Sequence, residues 1–439
     1  MKNNKFQASP LTALLLFLFV FFCFSIEARI YIPIDQPSDK KMPVAIKPLL
    51  PWEAKGDPKL EKEISEIIQK DLEMTGYFEF IPPMAFLEPE GQIGLSIDTI
   101  NFDHWTAIEV QALIKGSIER NENQIGVQLK LFDPFLKTLL VGKQYNGKLE
   151  DVRNIAHRFA DEVMLALTGL RGPFNTRIAY SALTKKSNKA IYVMDVDGQK
   201  NYRVSHDKSI NMGPKWSPDG SQLVFSSYMR GNPDIYTVNL KTQELTQLTN
   251  NHSMNISPTF TKDGDRILFT SSISDDPEIW MMDLKGKMIR QLTRSLGVDI
   301  AVDFGPDGNQ YVFSSERAGK LHVFKGNLDS SASQRLTFVG HFNDTPVWSP
   351  DGSKIAFCSQ DSGNFDIFVM NSDGSMIQRI TGGQGNNEHP SWSPDSRFLT
   401  FSSTRSSGPA IYMMRWDGAN PTRISKGNGI LPSWGPYLR

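Results

Sequence analysis

The chain has 439 residues, with 47 Lys and Arg against 48 Asp and Glu, which gives a formal net charge of −1. This length leaves room for about two to four domains. The balanced charge lacks the broad basic excess that nucleic-acid binding requires, so no nucleic-acid partner is expected. Apolar residues make up 39% and charged residues 22%, a composition typical of a soluble globular protein.

The N-terminus departs from this average composition. Two lysines in the first five residues precede an apolar run from Leu11 to Phe24, and residues 25–28 are again small or polar. This order is typical of a secretory signal peptide, so we expect residues 1–28 to be removed and the mature chain to begin near Arg29, without a transmembrane span. A membrane anchor is the alternative, but a span needs about 20 apolar residues and this run is shorter.

A lipoprotein signal at Cys23 is a further alternative, although the bulky Phe22 stands where such signals need a small residue. If Cys23 is removed with the signal peptide, Cys358 is the single remaining thiol. An exported chain with one cysteine forms no internal disulfide, so its stability must come from packing.

The region between the signal peptide and residue 169 combines helix and strand patterns. Asp57 and Pro58 are typical of a helix start, and apolar residues at helical spacing continue to about Met74. A second helix is predicted over residues 149–168, ended by Gly169. Strands are predicted over residues 42–47, 112–120, 125–132 and 138–145. We therefore expect an α+β N-terminal domain over residues 29–169, with two helices on a small mixed sheet.

The second half of the chain repeats a motif of an aromatic residue followed by Ser-Pro-Asp-Gly or a close variant. Successive aromatic residues are 44 positions apart, except for a final interval of 42. They are Trp216, Phe260, Phe304, Trp348, Trp392 and Trp434. Each period contains four short strand patterns joined by tight turns, which indicates one blade of a propeller.

Five of the motifs are followed by a second strand pattern, and Ile178 to Tyr180 is a sixth such pattern that has no motif before it. Residues 170–439 are therefore predicted to form an all-β six-bladed β-propeller. The copy at Ile178, the first in chain order, lacks an inner strand, whereas the last copy is followed by an additional strand from Ile430 to Trp434. We expect the final strand to join the first blade and close the ring, because closure removes exposed sheet edges.

Candidate chemical groups in the propeller have structural interpretations. The repeated aspartates, Asp219 among them, are explained by the turn that each one builds. The sequences that begin at Asp195 and Asn371 resemble the start of a calcium loop but lack its remaining ligands, which favours hairpin turns. The histidines stand at unequal offsets from the repeat, and no nucleophile motif is present. We therefore predict no catalytic residue, cofactor or metal site.

Two positions at the start of each inner strand are candidates for a binding site. Inner strands line the tunnel of a propeller, so the residues that begin them surround one of its mouths. Five positions before the repeated aromatic residue stand Asn211, Asn255, Asp299, Asn343 and Asn387. Four positions before it stand Met212, Ile256, Ile300, Asp344 and Glu388. A mixed apolar and acidic rim suits protein binding; the alternative is that the polar residues only cap strands.

A second candidate surface is the expected new N-terminus. Its residues are Arg29, Ile30, Tyr31, Ile32, Pro33, Ile34 and Asp35. The alternating isoleucines predict a strand without an evident hairpin partner. Such a segment can add to the edge of another protein's sheet, or it can be an edge strand of its own domain.

The order of these features, the junction from Thr168 to Tyr180 and the closing sequence from Leu431 to Leu438 resemble the TolB family, periplasmic propeller proteins of the Tol-Pal system. The resemblance implies a monomeric, non-enzymatic protein that supports outer-membrane integrity and constriction during cell division. It implies that a Pal-like peptidoglycan-associated lipoprotein docks at the propeller mouth on the ten residues named above. It also implies that Arg29 to Asp35 bind a TolA-like protein anchored in the inner membrane.

The competing hypothesis is a secreted propeller enzyme that acts on polysaccharide, either a glycosidase or a lyase. Such an enzyme needs two neighbouring carboxylates without equivalents in the other blades, and Asp344 and Glu388 are the pair that qualifies. Replacing both abolishes turnover under the enzyme hypothesis, but changes only partner affinity under the docking hypothesis.

Overall fold

The computed structural model describes residues 41–51, 57–89, 94–184, 188–360 and 363–438. The predicted signal peptide and the predicted strand from Arg29 to Asp35 lie outside these ranges. Within them, every helix is too short or too polar to cross a membrane.

The described chain begins with a six-stranded sheet. Its strands are β1 (Met42–Ile46), β2 (Leu50–Pro51), β3 (Phe78–Phe80), β4 (Ala112–Asn121), β5 (Gln124–Asp133) and β6 (Thr138–Lys148). The order is β3-β1-β4-β5-β6, with β2 beside β4. Strand β1 runs parallel to β3 and β4, whereas β4, β5 and β6 are antiparallel. The mixed sheet expected from the sequence is confirmed.

Two long helices and one short helix accompany this sheet. They are α1 (Pro58–Met74), α2 (Asp103–Thr106) and α3 (Val152–Thr168), with short 3-10 turns at Pro83–Ala85 and Leu149–Asp151. The Asp57 side chain caps α1 by accepting hydrogen bonds from the backbone N–H groups of Lys59 and Leu60. Gly169 ends α3 in the left-handed conformation, with φ of 75°. The apolar sides of α1 and α3 share one buried cluster with the sheet.

Six four-stranded sheets follow and form the predicted propeller. Blade 1 contains β7 (Arg177–Leu183), β8 (Lys189–Asp195) and β9 (Tyr202–Arg203). Blade 2 contains β10 (Asn211–Trp216), β11 (Gln222–Arg230), β12 (Asn232–Asn239) and β13 (Leu245–Gln247), and blade 3 contains β14 (Asn255–Phe260), β15 (Arg266–Ser274), β16 (Asp276–Asp283) and β17 (Met288–Gln291). Within each blade, neighbouring strands pair antiparallel.

The remaining blades repeat this order. Blade 4 contains β18 (Asp299–Phe304), β19 (Gln310–Ser315), β20 (His322–Asn327) and β21 (Ser330–Arg335), and blade 5 contains β22 (Phe342–Trp348), β23 (Lys354–Gln360), β24 (Phe365–Asn371) and β25 (Gln378–Arg379). Blade 6 contains β26 (Asn387–Trp392), β27 (Phe398–Ser406), β28 (Gly408–Arg415) and β29 (Thr422–Arg423). The final strand, β30 (Gly429–Trp434), pairs with β7 and completes blade 1, so the predicted closure is confirmed.

The repeated turn after each inner strand is stabilised by its own side chains. In blade 2, the Asp219 carboxylate accepts hydrogen bonds from the Ser217 hydroxyl at 2.6 Å and from the backbone N–H of Ser221 at 3.0 Å. These bonds, the Ser217 hydroxyl first, lower the pKa of Asp219. Gly220 follows with φ of 73°, which a side chain would strain. The repeated aspartate therefore builds the turn.

Candidate protein-docking site at the tunnel mouth

Each inner strand contains a bulge three positions before its closing aromatic residue. The six bulge residues are Gly213, Ser257, Ala301, Thr345, His389 and Leu431, with φ angles between 51° and 64°. For the five that are not glycine, a left-handed backbone costs roughly 1–2 kcal/mol each. Strain of this kind is often found where a backbone is shaped for function. The six residues are all of different types, so no sequence motif marks this position.

The bulge residues and the residues after them line the central tunnel, which holds a cavity of about 90 Å³. Five of the six following residues are proline: Pro214, Pro258, Pro346, Pro390 and Pro432. Lys215 and His389 provide the titratable groups of this lining. Burial first, and then the charges of Lys189 and Lys215, lower the pKa of His389 to about 4, so its ring is neutral near pH 7.

The residues five positions before the first five repeated aromatic residues are buried, and we call them the buried ring. Asn211, Asn255, Asp299, Asn343 and Asn387 are 0–2% exposed. The Asn255 amide donates to the Asp234 carboxylate of the preceding blade at 3.2 Å, and its carbonyl accepts from the Ser271 hydroxyl at 2.8 Å. Asn387 repeats the pattern with Asp366 at 2.9 Å and Ser403 at 2.8 Å. These side chains therefore join adjacent blades.

The burial of these five side chains favours the strand-capping interpretation over direct presentation of donors and acceptors to a ligand. The amides of Asn255, Asn343 and Asn387 bond to the preceding blade, whereas Asn211 Oδ1 and Asp299 Oδ1 have no hydrogen-bond partner within the described residues. At Asp299 the cross-blade partner is Glu278, whose pKa is raised chiefly by burial, and Arg317 donates to Asp299 at 2.5 Å. At Asn343 the cross-blade partner is His322, with Nδ2 and Nδ1 3.1 Å apart.

The next residues along each strand are half-buried at the same mouth, and we call them the lip residues. They are Met212, Ile256, Ile300, Asp344, Glu388 and Ile430. Burial raises the pKa of both Asp344 and Glu388, and the Asp344 charge raises that of Glu388 further. Within the described chain, no Lys, Arg or His forms an ion pair with either carboxylate. The lip residues therefore combine apolar surface with a pair of interacting carboxylates.

A charged cluster between the N-terminal region and blade 1 was not predicted. Arg153 of α3 donates to Asp197 at 2.5 Å and to Asp195 at 3.4 Å. His157, one turn further on, lies 2.6 Å from the Asp71 carboxylate of α1. His157, Asp195 and Asp197 are close enough to share a metal ion, but the Arg153 guanidinium already pairs with both aspartates. The partners are 42 or more residues apart in sequence, so no local motif marks the cluster.

The fold and the mouth define a six-bladed propeller protein that carries an α/β N-terminal region and a mixed apolar and acidic lip. Comparison with known protein families narrows this class to one family. The TolB amino-terminal domain matches residues 30–140, and the TolB β-propeller domain matches residues 164–437. The chain belongs to the TolB family.

Individual relatives agree with this assignment. The Tol-Pal system protein TolB of Syntrophotalea carbinolica is 37% identical over 208 residues, which cover 47% of this chain and 48% of that protein. That of Geobacter sulfurreducens is 37% identical over 38% of each chain. The chain thus spans about half the length, or less, of these curated relatives. A crystal structure of TolB from Acinetobacter baumannii superposes with a TM-score of 0.80 and 25% identity, covering 91% of this chain and 97% of that one.

Proposed function

We propose that this protein is a docking component of a Tol-Pal-like complex of the cell envelope, and that a Pal-like lipoprotein binds at its tunnel mouth. The lip residues carry this proposal, because an apolar centre with polar groups at its edge is the usual composition of a protein interface. The closed propeller and its interblade hydrogen bonds hold the lip in place before binding, which lowers the entropic cost of association. The names of the curated relatives support membership of the Tol-Pal system.

The N-terminal segment is the second proposed contact. Arg29 to Asp35 would bind a TolA-like protein by adding a strand to one of its sheets, with Ile30, Ile32 and Ile34 on one face. Pro33 lacks a backbone N–H, so the backbone hydrogen bonds to the partner strand would come from the residues on either side of it. This segment lies outside the described residues, and its support is the sequence pattern and the family. Both proposed contacts require the mature protein to be in the periplasm, where it would act in outer-membrane integrity and constriction during division without catalysing a reaction.

Direct binding tests the docking proposal. The mature chain, residues 29–439, is titrated with a soluble form of the Pal-like lipoprotein from the same genome that lacks its lipid anchor. Replacing Ile256 and Ile300 with serine removes apolar lip surface, so we expect affinity to fall about tenfold or more. Met376→Ser is the matched control, because Met376 is exposed at the opposite end of blade 5. Undetectable binding by the unmodified chain, or equal affinity for the Ile256→Ser/Ile300→Ser variant, contradicts the proposal.

A further inference from the structure

The connections that lead into two inner strands expose large apolar side chains beside the mouth. Leu296, between blades 3 and 4, is 90% exposed, and Phe338 and Val339, between blades 4 and 5, are each 70% exposed. We call these three residues the apolar patch. Isolated exposed apolar residues are ordinary, but adjacent ones on one face of a protein mark interaction surfaces.

The apolar patch makes the mouth asymmetric. The matching connections elsewhere are mainly polar: 206–209 is His-Asp-Lys-Ser, 250–253 is Asn-Asn-His-Ser, 382–386 is Gly-Gly-Gln-Gly-Asn and 426–428 is Lys-Gly-Asn. Ile273, in the hairpin of blade 3 that reaches the same face, is 43% exposed and extends the apolar side. On the other side, Leu183, at 40%, is the one large apolar residue exposed at this face among the described residues of blades 6 and 1.

Hydrogen bonds hold these connections in position. The Asn343 amide of the buried ring donates to the Val339 carbonyl at 3.0 Å, and the Arg335 guanidinium lies 4.9 Å from the centre of the Phe338 ring. The backbone N–H of Ser295, next to Leu296, donates to the buried Glu278 carboxylate at 2.6 Å. The apolar patch is therefore presented by ordered loops, and its binding would require little further ordering.

The connection that carries Phe338 and Val339 leads directly into the inner strand that carries Asp344 of the lip. Val339 contacts Asn343, whose neighbour in sequence is Asp344, and Glu388 interacts with Asp344 from the next blade. A partner that covers the patch thus meets two carboxylates that have no ion pair within the described chain. Like charge there would be repelled, so charge complementarity requires a Lys or Arg on the partner beside its apolar surface.

We propose that the apolar patch is the main anchoring surface for one face of a folded protein domain, and that a cationic side chain of this domain sits over Asp344 and Glu388. The patch lies on two connections, one between blades 3 and 4 and one between blades 4 and 5, so a partner that covers it contacts neighbouring blades at once, which suits the surface of a folded domain. This inference rests on the proposed function, because the domain is that of the lipoprotein partner at the mouth. It adds which side of the mouth dominates binding and what chemistry the partner must present.

The same titration tests the anchoring surface. For Phe338→Ser/Val339→Ser we expect the Kd to rise about tenfold or more, and for Leu296→Ser about threefold or more. Met376→Ser, with a side chain 79% exposed at the far end of blade 5, should leave the Kd within about twofold. Circular dichroism and melting temperature confirm that each variant folds, which these exposed positions should permit.

A second arm tests the cation. Asp344→Asn/Glu388→Gln should weaken binding and reduce its dependence on salt, since it removes the charges that attract the partner. If Ile256→Ser/Ile300→Ser weakens binding while Phe338→Ser/Val339→Ser does not, the anchoring proposal is wrong and the docking function stands. If this variant keeps the affinity and the salt dependence of the intact chain, the proposal that a cationic side chain of the partner sits over Asp344 and Glu388 is wrong. If the unmodified chain does not bind the lipoprotein, both proposals fail.

Discussion

The indole N–H of Trp434 donates a hydrogen bond of 2.7 Å to the hydroxyl of Thr176, which joins the last strand of the propeller to the residue that precedes its first. Trp434 also pairs with Ile178 in the sheet of blade 1, and its ring is buried. Blade 1 is thus built from both ends of the repeat region. The integrity of the ring depends on this blade, because each other blade is formed by consecutive strands.

Trp434→Ala should weaken closure of the ring. It removes a buried aromatic side chain and its hydrogen bond, so we expect a loss of about 3–5 kcal/mol in the free energy of unfolding. Trp434→Phe keeps most of the apolar contact and should cost about 1 kcal/mol. Urea unfolding followed by circular dichroism measures both values. A chain lacking residues 428–439 that melts at the temperature of the intact protein would contradict the role of β30.

Asp161 should make stability depend on pH. Its carboxylate accepts hydrogen bonds from the backbone N–H groups of Phe174 at 2.9 Å and Asn175 at 3.4 Å, in the connection that leads to blade 1. Burial raises the pKa of Asp161 to about 7 from an ordinary value of 3.8. Between these two values the folded chain binds a proton that the unfolded chain does not, so the free energy of unfolding falls as pH rises and levels off above about pH 7.

Comparing urea unfolding at pH 5 and pH 8 tests this dependence. Asp161→Asn should remove its contribution to the difference between the two pH values, because the amide does not titrate in this range. Asp98→Asn, at an exposed position of the same region, is the control. An identical pH difference in the intact chain and in the Asp161 variant would show that Asp161 does not titrate as expected.

Asn255→Ala should lower stability without affecting partner binding. The substitution leaves the buried Asp234 carboxylate and Ser271 hydroxyl without this amide, at a cost of about 1–3 kcal/mol. Asn232→Ala, which changes an exposed amide in the preceding blade, should cost far less. Urea unfolding gives the stability, and titration with the lipoprotein gives the Kd. A large loss of affinity with unchanged stability would restore the direct ligand contact that the burial of Asn255 argues against.

Arg153→Met should loosen the contact between α3 and blade 1. It leaves the Asp197 carboxylate without its cation, whereas Asp195 keeps Arg177 at 3.4 Å, and a buried carboxylate that loses its partner typically costs about 3–5 kcal/mol. We expect faster proteolysis in the connection around residues 169–175. Arg158→Met, at an exposed position one turn further along the same helix, is the control. Equal proteolysis rates for the two variants would argue against Arg153 as the interdomain contact.

The enzyme hypothesis makes a separate prediction about Asp344 and Glu388. Their proximity is its single structural support, since a glycosidase or lyase uses a pair of carboxylates. We expect no release of reducing ends or unsaturated products from polysaccharide by the intact chain. Turnover that disappears in Asp344→Asn/Glu388→Gln would instead establish catalysis at the mouth.

Local sequence patterns predicted much of this fold. The interval between Trp216, Phe260 and the later aromatic residues gave the number of blades, and the surplus strand ending at Trp434 indicated how the ring closes. The caps at Asp57 and Gly169 marked helix ends correctly. Strands β2 and β3 and helix α2 were missed, because elements of two to four residues carry no periodic signal.

The sequence determined the blades because each is built from consecutive strands, whose alternation and turns are local properties of the chain. The tertiary structure decided which side chains at the mouth are buried. Asn255 and Ile256 are adjacent in sequence, yet one bonds to the neighbouring blade and the other faces the tunnel mouth. The pairing of Arg153 with Asp195 and the exposure of Leu296 and Phe338 on neighbouring connections likewise depend on how distant segments pack, which no local pattern records.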